Sequence, residues 1–347
     1  MAVNVDKIAV LGGGSWGTAL ALLLARNNPR CRIHLWVHDP QLAASMREER
    51  LNQPYLAGFE LPAAIAISND LTETVSGASL IVGVMPSAHA RQVYTAAFAP
   101  LHRIPPVVSA TKGIEPGLLA RMSQVIEEVA RAHPSAPVPP GTSCPRIAVL
   151  SGPSFAREVA RGDPVAIVVA SRDRDLARHV QEMFSGTAFR VYVSEDVCGV
   201  EMGGALKNII AIAAGICVGL NLGHSTVAAL ITRGAAEMTR LACALGAQPR
   251  TLSGLSGMGD LVLTATGALS RNRAVGIELG RGRPLAEILQ SMRMVAEGVG
   301  TTGAALELAR RAGVEMPITE QMYAVLNGGR APREAIRELM QRRLKEE

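Results

Sequence analysis

The sequence predicts two domains: an α/β domain with a doubly wound parallel sheet, followed by an all-α domain. Three observations support this prediction. Short β-branched runs alternate with helical stretches in the first half, which is typical of a parallel sheet with helices on both faces. A glycine-rich turn joins the first run to the first helix. Strand-like runs become scarce after about residue 194, where long Ala/Leu/Gly-rich segments begin.

The first half supplies the predicted strands and the helices between them. The strands are residues 7–11, 31–37, 80–85, 107–110, 147–150 and 165–170, and the helices are 17–26, 89–99 and 118–132. A proline-rich stretch at residues 133–145 interrupts this alternation. We expect it to form a surface loop, because another strand follows it directly.

The second half is predicted to be helical, with helices at residues 201–220, 226–245, 285–290 and 301–312. We place the domain boundary near residues 192–197, which gives domains of residues 1–193 and 194–347. The longest apolar segment, residues 209–222, contains glycines and is shorter than the roughly 20 residues that span a bilayer. It predicts a core helix, and we expect no membrane span.

Composition narrows the function classes. The chain has 347 residues, of which 48% are hydrophobic and only 19% charged. It therefore has enough apolar residues to form the hydrophobic cores of two domains. A net charge of +5 without a Lys/Arg run argues against nucleic-acid binding but suits a small anionic substrate. The five cysteines are scattered without a CxxC pair, so we expect neither a disulfide framework nor a metal site. A reducing cytoplasm, without a signal peptide, is the expected location.

The strongest local motif is GGGSWG at residues 12–17. It follows an apolar strand and opens an Ala/Leu-rich helix, the context in which GxGxxG indicates a Rossmann-like dinucleotide site. The glycines allow a tight turn, close approach to a pyrophosphate, and close packing of helix on strand, while the helix start offers free N–H groups. The alternative is a glycine-rich turn without a ligand. The predicted cofactor contacts here are Gly12, Gly14, Ser15, Trp16 and Gly17.

The second predicted strand, CRIHLWV, ends near the adenosine ribose in such a fold, and His38 and Asp39 follow it. An acidic residue there favours NAD, whereas a basic one accommodates the extra phosphate of NADP. We predict that His38 contacts the cofactor and leave its identity as NAD or NADP. A solvated surface histidine is the alternative.

Several ordered motifs carry a family resemblance. They are GGGSWGTALA, TKGIE, SGPSFAREVARGDP, GGALKNIIAIAAG, GDLVLTATGALSRNR, VAEGVGTT and MPITEQMYAVL. Together they resemble bacterial NAD(P)-dependent glycerol-3-phosphate dehydrogenases over roughly residues 8–326. The resemblance implies hydride transfer between nicotinamide and dihydroxyacetone phosphate or sn-glycerol 3-phosphate, which supplies phospholipid synthesis. It also implies a homodimer. The stretch LGHSTV at residues 222–227 departs from the family pattern, which often has an acidic or amide residue followed by a basic one.

Lys207 is the predicted catalytic residue. It lies in the predicted helix EMGGALKNIIAIAAG, with Gly203 and Gly204 on the same helical face. We expect these small residues to leave space for a ligand, and burial to lower the pKa of Lys207 towards the acid–base range. The alternative is a lysine that extends along a buried helix towards solvent. The resemblance implies that Lys207 accepts the proton of the substrate C2 hydroxyl.

Two predicted strand ends supply further candidates. Lys112 follows the strand at 107–110, and the carboxyl ends of parallel strands face the ligand crevice. By resemblance it contacts both substrate and cofactor, and a solvated loop lysine is the alternative. Gly152 and Ser154 follow the strand at 147–150, where N–H groups and a hydroxyl suit an anion, with a helix N-cap as the alternative for Ser154. By resemblance they contact substrate, and Ala156 lies near the cofactor.

Asp260 and the sequence SRNR at residues 270–273 are candidates from the second half. Asp260 is either a helix cap or, by resemblance, a substrate-site residue that also holds Lys207 in position. SRNR concentrates hydrogen-bond donors suited to phosphate. By resemblance the substrate phosphate binds Ser270, Arg271 and Asn272, and Arg271 also reaches the cofactor.

Val295 and Glu297 complete the candidates. By resemblance both contact the cofactor near the nicotinamide, and a solvated helix-end carboxylate is the alternative for Glu297. Two other functions stay open from the residues alone. A β-hydroxy acid dehydrogenase would not need SRNR, and a non-catalytic dinucleotide sensor would need neither Lys207 nor Asp260.

Overall fold

The computed structural model describes residues 6–133 and 145–344. The interior of the predicted loop at 133–145 lies outside the described residues. An eight-stranded sheet with the order β3-β2-β1-β4-β5-β6-β7-β8 occupies the first half. The strands are β1 (Lys7–Leu11), β2 (Arg32–Trp36), β3 (Ile65–Ser68), β4 (Leu80–Gly83), β5 (Val107–Ser109), β6 (Ile147–Ser151), β7 (Val165–Ala170) and β8 (Phe189–Ser194).

Helices cover both faces of this sheet, so the predicted α/β class is confirmed. Leu20 and Leu24 pack with Val180 in the hydrophobic core on one face, whereas Phe98 and Ile126 belong to the core on the other. The helices here are α1 (Ser15–Asn27), α2 (Pro40–Glu49), α3 (Gln53–Leu56), α4 (Leu71–Val75), α5 (Ala90–Phe98), α6 (Met122–Arg131), α7 (Ala156–Arg161) and α8 (Arg174–Phe184), with a 3₁₀ turn at Ser87–His89.

The second half is helical, as predicted. Its helices are α9 (Val197–Gly219), α10 (His224–Ala244), α11 (Pro249–Leu252), α12 (Asp260–Thr266), α13 (Arg271–Gly280), α14 (Leu285–Gln290), α15 (Glu297–Ala312), α16 (Pro317–Asn327) and α17 (Pro332–Met340), with a π-helical turn at Leu255–Gly259. The helix predicted from residue 201 begins at Val197, because the Asp196 carboxylate accepts a hydrogen bond from Gly199 N at 2.8 Å and caps it.

Strands β3 and β8 were not predicted from the sequence, and one pair of strands runs in a different relative direction from the prediction. β3 has only four residues, and β8 is an edge strand in which buried Phe189 and Val191 alternate with exposed Arg190 and Tyr192. Neither forms the continuous apolar run expected of a buried parallel strand. The sheet is not wholly parallel either, because β6 and β7 pair antiparallel. Two antiparallel strands can be joined by a short connection, whereas two parallel strands need a long crossover between them.

Helix α9 is the core of the second half, as predicted for the apolar segment at 209–222. Within the described residues it is the helix long and apolar enough to cross a membrane, and almost all of it is buried inside the protein. It packs against α13 with the two backbones in direct contact. A Cβ added to Gly215 would lie 2.1 Å from Arg273 O, and one added to Gly276 would lie 2.0 Å from Ile212 O. These glycines bring the start of α13 next to the middle of α9.

Candidate active site

The glycine-rich turn between β1 and α1 forms an open cradle. Gly12 has φ +132°, and an added Cβ would lie 2.5 Å from Val84 O. A Cβ on Gly17 would lie 1.8 Å from Gly12 O, so the helix can approach the strand only without a side chain there. Around Gly14 the equivalent position is open, with nothing within 4 Å. The turn therefore exposes backbone at the N-terminus of a 13-residue helix, which fits the pyrophosphate of a dinucleotide.

Trp16 and the end of β2 lie beside this cradle. The Nε1 atom of Trp16 is buried and has no hydrogen-bond partner among the described residues. β2 contacts the turn directly, because Gly12 N donates to Trp36 O at 3.1 Å. His38 follows as an exposed side chain, its ring 5.6 Å from that of Trp36. Asp39 caps α2, accepting from Gln41 N at 2.8 Å, so part of its carboxylate is already engaged.

A buried cluster of two lysines and one aspartate lies where the sheet meets the helical half. The Nζ of Lys207 donates to Asp260 Oδ1 at 2.5 Å and to Thr264 Oγ1 at 2.7 Å. The Nζ of Lys112 donates to Asp260 Oδ2 at 2.8 Å and to Gly152 O at 2.9 Å. One carboxylate thus holds both lysines. Asp260 therefore does not cap its helix, and Lys112 is not a solvated loop lysine.

The electrostatics of the cluster favour proton transfer at Lys207. Only 5% of Lys207 and 1% of Asp260 is exposed. Burial lowers the pKa of Lys207 to about 7, Asp260 opposes this shift, and the positive charge of Lys112 adds to it. An amine whose protonated and neutral forms are both populated near neutral pH is suited to acid–base catalysis.

The glycines before Lys207 do not simply leave space for a ligand, which corrects that expectation. A Cβ on Gly203 would lie 2.5 Å from Ser256 O, so the π-helical turn packs where a side chain would be. A Cβ on Gly204 would lie 2.6 Å from Ser151 Oγ and 3.6 Å from Lys112 Cγ. The small residues therefore allow the strand ends and the π-helical turn to approach Lys207.

Gly152 and Ser154 lie at the end of β6, next to this cluster. Gly152 has φ +141°, and an added Cβ would lie 2.9 Å from Ile167 Cα, so only glycine fits there. Ser154 Oγ donates to Gly152 O at 3.0 Å. The N-cap alternative for Ser154 is wrong, because α7 begins at Ala156 and its N-cap position is Phe155.

The SRNR residues have different partners. Asn272 Nδ2 donates to Asn208 Oδ1 at 2.9 Å, and Gly298 N donates to Asn272 Oδ1 at 3.0 Å, so this amide joins α13, α9 and α15. Ser270 caps α13, accepting from Arg273 N at 3.2 Å. Arg271 is exposed and makes no hydrogen bond within the described part of the chain. Its guanidinium donors are therefore available for an anion, and the buried Nε of Arg273 in the same segment also has no hydrogen-bond partner among the described residues.

The segment before α15 lies over the cofactor cradle. Ser15 Oγ donates to Met294 Sδ at 3.1 Å, and Val295 beside it is 51% exposed. Glu297 accepts from Ser87 N at 3.1 Å and from Ser87 Oγ at 2.7 Å, so it is not a solvated carboxylate. Burial raises the pKa of Glu297, and the two Ser87 bonds and Arg271 oppose that shift. These contacts join the glycine turn and the end of β4 to the helical half.

The structure thus joins Lys112, Gly152, Lys207 and Asp260 by direct hydrogen bonds, with Ser154 bonded to Gly152, and it adds two residues. Thr264, which contacts Lys207, lies four residues after Asp260 on the same helix, a spacing that was visible in the sequence. Ser87, which contacts Glu297, has no sequence signal because the two are 210 positions apart. In the described ranges no hydrogen bond or ion pair joins His38 or Ala156 to the lysine cluster. No group of three metal-ligating side chains occurs among the described residues either.

Comparison with known families gives consistent matches. Residues 7–177 match the family model of the NAD-dependent glycerol-3-phosphate dehydrogenase N-terminus, and residues 196–337 match that of the C-terminus. A curated relative from Koribacter versatilis, named glycerol-3-phosphate dehydrogenase [NAD(P)+], is 53% identical over 339 residues, covering 97% of this chain and 98% of the relative. One of the same name from Geobacter sulfurreducens is 53% identical over 344 residues, covering 99% of each chain.

A solved structure agrees with these matches. The crystal structure of glycerol-3-phosphate dehydrogenase from Coxiella burnetii is 37% identical, with a TM-score of 0.90 over 97% of this chain and 99% of that one. Both halves of the chain and their arrangement therefore match those of a single known enzyme class.

Proposed function

Because the chain belongs to the NAD-dependent glycerol-3-phosphate dehydrogenase family, we propose that the Lys207–Asp260–Lys112 cluster is the catalytic centre of its reaction. The reaction is the reversible, NAD(P)-dependent interconversion of dihydroxyacetone phosphate and sn-glycerol 3-phosphate, an oxidoreduction of a CH–OH group. The observation that carries the proposal is the 2.5 Å contact between Lys207 Nζ and Asp260 Oδ1, two buried side chains whose carboxylate also binds Lys112 at the end of β5.

Lys207 is the proposed donor and acceptor of the proton on the substrate C2 oxygen. When bound, the nicotinamide dinucleotide supplies or accepts the hydride at the substrate C2. In the direction of reduction, the Lys207 ammonium donates a proton to the developing C2 alkoxide. In the direction of oxidation, the neutral amine removes the proton of the C2 hydroxyl. Asp260 and Thr264 hold the amine in one position, so little reorganisation is needed when charge develops.

Lys112 and Arg271 are the proposed cationic contacts of the substrate. Lys112 lies 2.8 Å from Asp260 and carries a positive charge next to the proton-transfer site, where it polarises the substrate oxygen. Arg271, whose guanidinium has no hydrogen-bond partner among the described residues, binds the phosphate with two donors, and it also reaches the cofactor. Gly152, Ser154 and Asp260 complete the substrate contacts from the cluster side. Ser270 and Asn272 lie at the start of α13, where the hydroxyl proton of Ser270 and the second amide proton of Asn272 are available to the phosphate.

The cradle and its surroundings are the proposed cofactor site. The backbone of the turn binds the pyrophosphate, Trp16 lies beside it, and His38 lies on the adenosine side. Ala156, Val295 and Glu297 are assigned to the nicotinamide side. The contact of Met294 with Ser15 of the turn supports this for Val295, and the contact of Glu297 with Ser87 after β4 supports it for Glu297. The assignment of Ala156 rests on the family resemblance. The contacts assigned to the turn are those of Gly12, Gly14, Ser15, Trp16 and Gly17.

The proposed assembly is a homodimer in the cytoplasm. The homodimer rests on the family resemblance, and sedimentation or light scattering of the purified chain tests it. The cytoplasmic location rests on the scattered cysteines and on the need for a nicotinamide cofactor pool.

The proposed dehydrogenase activity is tested by following the absorbance of the reduced nicotinamide cofactor over time. The purified protein receives dihydroxyacetone phosphate with NADH or NADPH in parallel, and Lys207→Ala serves as the comparison. We expect rapid oxidation by the wild type and a loss of at least about 100-fold in the variant. The ratio of the two wild-type rates gives the cofactor preference. Dinucleotide binding without oxidation of either cofactor would overturn the substrate assignment.

A further inference from the structure

Asn52 is a fully buried amide next to the glycine-rich turn. Its exposed fraction is 0%. Its Nδ2 donates to Gly13 O at 2.8 Å and to Thr18 Oγ1 at 2.8 Å. Its Oδ1 is also buried and has no partner in the described part of the chain. The two donated bonds therefore set the orientation of this amide.

The bond to Gly13 fixes the direction of the next peptide. In a planar trans peptide, the carbonyl of Gly13 and the N–H of Gly14 point in opposite directions. With the carbonyl held on Asn52, the N–H of Gly14 is directed away from Asn52. Around Gly14, an added Cβ would meet nothing within 4 Å, so the turn is open there to a ligand. A phosphate at the start of α1 needs N–H groups with this direction.

The segment that carries Asn52 is itself fixed. The Arg50 side chain donates to Leu61 O at 3.0 Å, to Ile65 O at 2.8 Å and to Pro62 O. Leu61 N donates back to Arg50 O at 2.8 Å. These hydrogen bonds link Arg50, which precedes Asn52, to residues 61–65, where the chain enters β3. Asn52 is thus presented to the turn by a closed, hydrogen-bonded loop.

We propose that Asn52 is a positioning residue for the dinucleotide. It holds the Gly13–Gly14 peptide in the orientation that presents N–H groups to the pyrophosphate before the cofactor binds. The inference rests on the proposed function, since it takes the ligand of the cradle to be a dinucleotide. It assigns Asn52 no part in proton transfer or in binding the substrate phosphate. A purely structural amide, in contrast, would affect the stability of the fold and leave the affinity of the folded protein for cofactor unchanged.

Asn52→Asp tests this role. The substitution is nearly isosteric, but it replaces the donor by an oxygen that faces the Gly13 carbonyl. We expect the affinity for NADH or NADPH, whichever the wild type binds more tightly, to fall at least about tenfold in a fluorescence titration. The KM for dihydroxyacetone phosphate at saturating cofactor stays within about twofold of wild type. Gln53→Ala, at the exposed neighbouring position, is the matched control and binds cofactor like the wild type.

Thermal unfolding of each variant accompanies the titrations. Asn52→Ala replaces Asn52→Asp if the latter does not fold, because it removes the donor without introducing repulsion. A folded Asn52 variant that binds cofactor as tightly as the wild type overturns the inference. Equal losses in cofactor affinity and in substrate KM overturn it as well. A wild type that binds no dinucleotide contradicts the proposed function itself, which separates the two failures.

Discussion

Lys207 and Asp260 are 53 positions apart in the chain, yet Lys207 Nζ and Asp260 Oδ1 lie 2.5 Å from each other and both side chains are buried. The other oxygen of the same carboxylate holds Lys112, which comes from the sheet, at 2.8 Å. Asp260 therefore joins a helix of the second half to a strand end of the first. A buried carboxylate with two ammonium partners is costly to disturb, because removing it leaves two positive charges close together without compensation.

Asp260→Asn should strongly reduce the rate of dihydroxyacetone phosphate reduction. The amide keeps the shape but not the charge that opposes desolvation of Lys207, so the pKa of Lys207 falls further and the proton donor is depleted at neutral pH. We expect kcat to fall at least about 100-fold. Steady-state kinetics with either cofactor measure this, and a kcat within twofold of wild type would contradict the role of the carboxylate.

The two directions of the reaction should depend oppositely on pH. Reduction needs the ammonium form of Lys207, so its kcat/KM is highest below about pH 7 and declines as pH rises through the lowered pKa. Oxidation of glycerol 3-phosphate needs the neutral amine, so its kcat/KM rises through the same range and then levels off. Initial rates in both directions between pH 5.5 and about 9 measure this. Parallel profiles in the two directions would exclude Lys207 as the titrating group.

Arg271→Lys should weaken recognition of the substrate phosphate. Lysine keeps the charge but loses the planar pair of donors, so we expect the KM for dihydroxyacetone phosphate to rise roughly tenfold. Unphosphorylated dihydroxyacetone provides the comparison at saturating cofactor, where the cofactor contact of Arg271 no longer limits the rate and its kcat/KM should change little. If both substrates lose activity equally, Arg271 does not bind the phosphate.

Gly276→Ala should destabilise the packing of α9 on α13. The added Cβ would lie 2.0 Å from Ile212 O, so the two helices must separate, which costs about 1–3 kcal/mol of unfolding free energy. Separation also disturbs the Asn208–Asn272 contact, so activity should fall with stability.

Gly300→Ala is the matched control for this change. Gly300 lies within α15 and an added Cβ would meet nothing within 4 Å, so alanine should be neutral or stabilise the protein by up to about 1 kcal/mol. Chemical denaturation of both variants gives the difference. Equal unfolding free energies for the two would show that the glycine contact between the helices is not needed.

Local patterns in the sequence were sufficient for most of the fold. The apolar run before GGGSWG, the alternation that follows and the Ala/Leu/Gly-rich second half predicted the sheet, the cradle and the helical domain. These signals act within a few residues, because hydrogen bonds of a turn or helix join near neighbours. The short β3, the edge strand β8 and the antiparallel β6–β7 pair were missed, because each depends on what neighbours that segment in space.

The sequence by itself determined the dinucleotide cradle, Lys207 as the candidate acid–base residue and the family to which the chain belongs. Only the tertiary structure decided how these residues are joined. It placed Asp260 between Lys207 and Lys112, over separations of 53 and 148 positions. It brought Asn272 into contact with Asn208 and Asn52 into contact with Gly13. The physical reason is that burial and charge pairing depend on distances across the fold, which no local pattern contains.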